Sequence, residues 1–269
     1  MQPPLSLNLT RADLGIWLIN LPRSTERRAR MQAQLQALGL DYTLYEAVDG
    51  RAGWDRLAPT VDLPAFRRNV GREVLPGEIG CYHSHLAVWQ ALISSPHKVA
   101  LVLEDDVVFH DDFLPALDVA LAHADRWDML KLNKIRAKFP VGQGQAGGYQ
   151  LNAFVGSFTG MGAYLVTCDC AGRLLPDMLP VRRPIDHALD RIDLTGFRHF
   201  ALQPFPSHVD DGNASTITGH GFAEVSKFPW YRRLGVYRNR LGALIGKGSH
   251  LLLGRMTKRL PSVGRQSDR

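Results

Sequence analysis

The order of apolar and polar positions along the chain predicts strands and helices in alternation. Residues 16–20 (IWLIN) form an apolar run ending in a polar residue, the pattern of a strand buried on both faces. Asn20-Leu21-Pro22 breaks that run, and Ser24 or Thr25 is placed to cap a helix. Met31, Leu35 and Leu38 share one side of this helix, and Gly39 stops it. Residues 42–48 predict a second strand, closing at Asp49-Gly50. Strand, helix, strand is the opening of an α/β sheet.

Residues 50–76 hold no sustained period and contain Pro59, Pro64 and Pro76, so they read as irregular. A helix follows over 78–94, with Ile79, Leu86, Trp89 and Ile93 on its buried side, and Pro96 ends it. The wholly apolar run 99–103 predicts a central strand that passes directly into Glu104-Asp105-Asp106. Asp111 or Asp112 starts a helix reaching residue 124, and 128–132 is a short strand. Gly142, Gly144, Gly147 and Gly148 make 134–148 read as a mobile loop. A strand over 160–167, helices over 169–179 and 185–193, and a strand over 198–202 complete the pattern. No internal repeat is visible.

Composition narrows the class without choosing a function. The chain has 269 residues, 45% apolar and 22% charged, which excludes disorder, collagen and a disulfide miniprotein. Three cysteines (Cys81, Cys168, Cys170) form no disulfide framework or zinc spacing and fit a reducing compartment. No apolar run approaches the ~20 residues of a spanning helix. The N-terminus has no basic region ahead of an apolar stretch, so the chain is expected to stay in the compartment where it is made. Charge is uneven: residues 227–269 hold eleven Lys/Arg and one acid, leaving a net of −4 on the remainder although the whole chain is +6. The expected division is therefore a catalytic body over 1–226 and a basic segment over 227–269.

Three clusters can carry chemistry. Glu104-Asp105-Asp106 sits at the carboxyl end of a strand, the edge at which open α/β sheets bind ligands. On an extended backbone Glu104 and Asp106 face one way and Asp105 the other, so two hard oxygen ligands would suit Mg²⁺ or Mn²⁺ with a diphosphate; a solvated turn is the plainer alternative. In Gly77-Glu78-Ile79-Gly80-Cys81-Tyr82-His83-Ser84-His85 the glycines allow close backbone approach. His83 and His85 point to different helix faces, one buried and one toward a cleft, in structural or catalytic roles. In Pro184-Ile185-Asp186-His187, Asp186 falls in a first helical turn, where an ionised carboxylate is favoured and serves either as a base or as a cap.

These clusters, with Ile19-Asn20-Leu21 before Arg27-Arg28 and a weaker Ser215-Thr216-Ile217, occur in an order that resembles the family 25 glycosyltransferases of lipopolysaccharide and lipooligosaccharide synthesis, to which collagen galactosyltransferases are related. The resemblance covers about residues 14–217. It implies a GT-A-like α/β fold with a mixed, mostly parallel central sheet, and inverting transfer of a hexose, most often galactose, from a UDP-sugar to a glycan or glycolipid hydroxyl. Glu104-Asp105-Asp106 would stand for the DXD motif, with Asp106 the firmer ligand of Mn²⁺ or Mg²⁺ and Glu104 reaching the ribose or a metal-bound water. His208 is a further candidate for the metal shell. Asp186 would be the base and Glu78 the fallback. Asn20, Leu21, Arg23 and Arg27 would lie near the uridine and phosphates, with His83 and Asp105 beside the donor, although Arg27 and Arg28 also suit an exposed helix face. Lys131 could meet the diphosphate or simply face solvent, and the 134–148 loop could close over the donor.

The basic segment interleaves arginines with Leu234, Tyr237, Leu241, Leu244 and Ile245 on one helical face, and repeats the pattern at Leu252, Leu253, Met256 and Leu260. Such a helix suits an anionic membrane surface and would place the enzyme on the cytoplasmic face of an inner membrane; docking on the body is the alternative. Nucleic acid is disfavoured, because the body is acidic and no recognition motif appears. Two further classes remain open: an inactive carbohydrate-binding relative, and a nucleotidyltransferase, which would release pyrophosphate instead of UDP.

Overall fold

Every residue from Val99 to Leu103 is apolar and must be covered on both faces, which only an interior strand provides. In the computed structural model, which describes residues 8–191, 196–210 and 226–256 (without the side chains of 252–256), β3 (Val99–Glu104) is accordingly internal. It lies between β1 (Leu14–Asn20), which is parallel to it, and β10 (Ala163–Thr167), which is antiparallel. The eight-stranded sheet runs β2 (Thr43–Glu46), β1, β3, β10, β5 (Met129–Lys131), β11 (His199–Gln203), β8 (Tyr149–Phe154), β7 (Pro140–Ala146). Within it β10 and β8 run against the other strands, so the sheet is mixed, as expected. Because β1, β3 and β5 point the same way, Asn20, Glu104 and Lys131 all arrive at one edge.

Two apolar layers cover the sheet. On one face α1 (Thr25–Ala37) and α5 (Phe113–Ala122) bring Met31, Leu35, Phe113 and Leu117 against Leu101 and Leu103. On the other, α4 (Pro76–Ile93), α6 (Cys168–Leu174) and α7 (Ile185–Leu189) bring Trp89, Ala171 and Leu189 against Val102 and Tyr164. The amino end of α4 lies backbone to backbone on the turn after β2: a Cβ at Gly50 would strike the Pro76 carbonyl, and one at Gly80 the Val48 carbonyl. This explains Gly80 in the 77–80 stretch, and Ser84 fixes the contact by accepting the Val48 amide at 2.8 Å.

Two stretches differ from expectation. The region 50–76 is not irregular but holds α2 (Trp54–Leu57) and α3 (Leu63–Val70). Asp62 caps α3 through the Ala65 amide at 3.0 Å, and Gly71 closes it at φ 78°. The 134–148 stretch is not a loop. It forms β6 (Arg136–Ala137), paired with β9 (Phe158–Thr159), and the edge strand β7, whose pairing with β8 slips between Gly142 and Gly144. The glycines serve this irregularity, with Gly144 at φ 123°. A small two-stranded antiparallel sheet of β4 (Val107–Phe109) and β12 (Ser207–Val209) stands past the end of β3.

The basic segment carries α8 (Leu234–Met256), which rests on α3 and the end of α7. Val236, Lys247 and Leu251 are buried there. Asn239 donates to Asn69 at 2.8 Å, and Lys247 Nζ lies 2.6 Å from Asp190 Oδ1. Among the described residues no helix is long and apolar enough to cross a membrane, and the three cysteines are free thiols. The Ser215-Thr216-Ile217 match and Leu260 lie outside the described residues.

Candidate active site

The acidic triplet does not continue the extended alternation of β3. Residues 105 and 106 form a turn between β3 and β4, so Asp105 and Asp106 swing together to the α1 side while Glu104 keeps its place on the α4 side. The expectation that Glu104 and Asp106 face one way is therefore corrected, and the turn is the reason. On the α1 side Arg27 holds both aspartates, with Nη1 3.0 Å from Asp105 Oδ1 and Nη2 2.6 Å from Asp106 Oδ2. Asn20 donates to Asp105 Oδ2 at 2.7 Å and to the Ser24 carbonyl at 3.1 Å. Arg27 is thus turned inward onto the sheet edge and is not part of an exposed helix face. Asp106 keeps one buried oxygen, Oδ1, without a hydrogen-bond partner. Burial, and then the nearby charge of Glu104, push the Asp106 carboxyl up to about 7 against the pull of Arg27.

On the α4 side, Glu78, Cys81 and His85 fall three and four residues apart and share one helix face above Glu104. His85 Nε2 is 3.1 Å from Glu104 Oε1, and the Cys81 thiol donates to the same oxygen at 3.7 Å. Behind His85, Trp89 donates to the Tyr164 hydroxyl at 3.0 Å, and that hydroxyl lies 2.9 Å from His85 Nδ1. With its oxygen receiving the Trp89 N–H, Tyr164 donates to Nδ1, so the proton of a neutral His85 sits on Nε2 and points at Glu104. These three atoms of Cys81, His85 and Glu104 form the one group of three ligating side chains found within 4.8 Å of one another among the described residues.

Glu78 is buried and paired with Arg72, its Oε2 having no hydrogen-bond partner. Burial raises its carboxyl despite Arg72, and the charge of Asp186 adds to the rise. Asp186, in the first turn of α7, accepts its neighbour His187's amide at 2.8 Å and is half-buried. Lys131 is fully buried, which overturns the solvent-facing reading: Nζ donates to the Phe158 carbonyl at 3.0 Å and lies over the Phe158 ring. Burial lowers Lys131 to about 8, while Asp186, Asp190 and Glu104 pull it back up. The charges of Glu78, Glu104 and Asp186 act on the Cys81 thiol, and those of Asp186 and Glu104 on Lys131, so these side chains are neighbours near the sheet edge.

The remaining candidates are placed less centrally. Leu21 is half-buried in the turn after β1, and Arg23 is exposed and paired with Asp49. His83 points away from Glu104 and contacts Thr60 Oγ1 at 2.9 Å, so of the two histidines it is His85 that meets the carboxylates. His208, on β12, lies with Nδ1 2.8 Å from His110 Nε2, and it joins no three-ligand group with Glu104 or Asp106 among the described residues. A divalent cation fits the partnerless Asp106 Oδ1 in charge and hardness.

The residues 13–189, about two thirds of the chain, match the model of the family described as glycosyltransferase family 25 (LPS biosynthesis protein). The chain belongs to that family. A glycosyltransferase 25 family member of Anopheles gambiae is 32% identical over 208 residues, covering 74% of this chain and 34% of the relative. Human procollagen galactosyltransferase 2 is 26% identical over 235 residues, covering 75% of this chain and 37% of its own length. An inactive glycosyltransferase 25 family member 3 of Mus musculus is 29% identical over 141 residues, 49% of this chain and 24% of that protein. The chain spans about a third of the length of the longer-matching relatives. The family 25 match encloses both sides of the acidic edge and ends on α7, whereas α8 lies beyond it.

Proposed function

We propose that this family 25 glycosyltransferase moves a hexose, galactose in the first instance, from a UDP-sugar to a hydroxyl of a lipopolysaccharide-type glycan with inversion at the anomeric carbon. The observation that supports this most is the division of the β3 edge: a carboxylate with an unused buried oxygen on one side, and on the other a half-buried carboxylate whose charge reaches a buried lysine.

Asp186 receives the proton of the acceptor hydroxyl as its oxygen forms the new bond to the anomeric carbon. On the opposite face of the sugar the bond to the diphosphate oxygen breaks, and UDP leaves with the electron pair. Lys131, buried and bonded to the Phe158 carbonyl, is a cation within the electrostatic reach of Asp186. His85 holds Glu104 in place, and Glu78, buried and paired with Arg72 through one oxygen, is the fallback base. Asp106 Oδ1, with Glu104 nearby, would hold Mn²⁺ or Mg²⁺, which when bound supplies charge neutralisation for departing UDP. Arg27 and Asn20 keep Asp105 and Asp106 oriented for that role.

The reading is tested by incubating the full chain with UDP-galactose, UDP-glucose or UDP-N-acetylglucosamine, with Mn²⁺ or with chelator, and measuring released UDP. Cation-dependent release that rises with a glycan acceptor is the expected result. Pyrophosphate in place of UDP would indicate nucleotidyl transfer. Donor binding without release would put the chain with the relatives that are named inactive.

A further inference from the structure

Helix α8 is amphipathic in an unusual sense, because it docks on the body through its less apolar face. Val236, Asn239 and Lys247 turn inward, whereas Leu234 (59% exposed), Tyr237 (42%), Leu241 (58%), Leu244 (41%) and Ile245 (60%) form a continuous stripe in solvent. At 100° per residue Arg238 and Arg240 stand on opposite sides of that stripe. Trp230, 70% exposed, and Tyr231 mark the amino end of the same surface, next to Arg232. From 226 to 256 the segment has no acidic residue.

We infer that this face of α8 lies flat on an anionic lipid bilayer, its leucine and isoleucine stripe in the acyl boundary and its arginines on the headgroups. A second copy of the chain is the poorer occupant, because a two-fold contact would set one acid-free basic face against another. Aromatic residues at the edge of an arginine-flanked apolar stripe match the layered polarity of a membrane surface. The helix is also fixed to the site. Lys247 is paired with Asp190 directly after α7, and Arg191 donates to the Asn239 carbonyl at 2.9 Å. The surface that meets lipid is thereby held in one orientation relative to Asp186. On the transfer reaction proposed above, a lipid-linked acceptor would then be presented to Asp186 from the bilayer side.

Flotation of the full chain with vesicles tests this without any substrate, so its outcome is independent of the proposed transfer reaction. Vesicles of phosphatidylcholine with phosphatidylglycerol should bind the chain at least about tenfold more than phosphatidylcholine alone, and high salt should weaken the binding. The paired substitutions Leu241→Asp and Ile245→Asp should lower binding about tenfold or more, and Arg238→Glu with Arg240→Glu should abolish the lipid preference. Melting temperature should be unchanged in both variants, since these side chains point into solvent. Equal binding to neutral and anionic vesicles, or binding indifferent to both substitutions, overturns the inference. So does a concentration-dependent dimer of the parent chain that the Asp variant makes monomeric, or capture by an acidic protein with no vesicle binding.

Discussion

On the α1 side of the β3 edge, one arginine spans Asp105 and Asp106, and an asparagine completes Asp105. On the α4 side, Glu104 and Asp186 lie within electrostatic reach of a buried cation, Lys131, that is itself engaged by a carbonyl. The first arrangement is geometrically fixed, with one arginine shared by two carboxylates, the character of a positioning device that keeps charge in reserve for a cation. The second leaves Asp186 with no cation directly bonded to it among the described contacts, as the proposed role of base requires. A difference of one or two positions in the chain, Glu104 against Asp105 and Asp106, therefore matters less than which face of the sheet a carboxylate reaches.

The sharpest way to break this comparison is Asp186→Asn. Loss of a positioned base should lower turnover about 10²–10⁴-fold while UDP binding, followed by calorimetry, survives. Near-normal turnover would move the base elsewhere, with Glu78 next in line. Arg27→Met addresses the other side. It leaves two half-buried carboxylates without their shared cation and should lower stability by up to about 3–5 kcal/mol in urea unfolding. Mn²⁺ should recover part of that loss, because it replaces the missing charge; an unchanged unfolding midpoint would mean that the ion pairs contribute nothing.

A smaller effect concerns pH. Asp106 titrates near 7 in the folded chain, above its unfolded value of 3.8, because it is buried beside Glu104. A carboxyl raised in this way stabilises the fold while protonated, so its contribution is full below about pH 4 and is lost as pH rises through about 7. Cation-free protein should therefore lose stability between those limits, and Asp106→Asn should flatten that part of the profile. Identical profiles would show that Asp106 does not titrate there.

Much of this was legible in the chain. The buried strands declare themselves because 16–20 and 99–103 are unbroken apolar runs, and the strand–acid junction at Glu104 places the site at the sheet edge. The turn at 105–106 was not, because alternation assumes a straight strand and only packing against Arg27 reveals the bend. His85 was passed over for His83, although Glu78, Cys81 and His85 follow helical spacing and could have been grouped by it. Lys131 reads as solvent-facing because alternation shows which face a residue takes, not whether α7 and β9 cover that face. The β7 strand is masked by glycines whose conformations serve a bulge, and its partner β8 follows it in sequence with little apolar signal of its own at Tyr149-Gln150. The 63–70 helix is too short for periodicity to stand out.

The most direct test is the melting temperature of the full chain with UDP, with Mn²⁺, and with both, in the parent and in Asp106→Asn. Only the parent with both should shift, by about 5–10 °C at a hundredfold excess over the dissociation constant. An equal shift from UDP under chelator, in both proteins, would contradict a nucleotide held through a cation at Asp106.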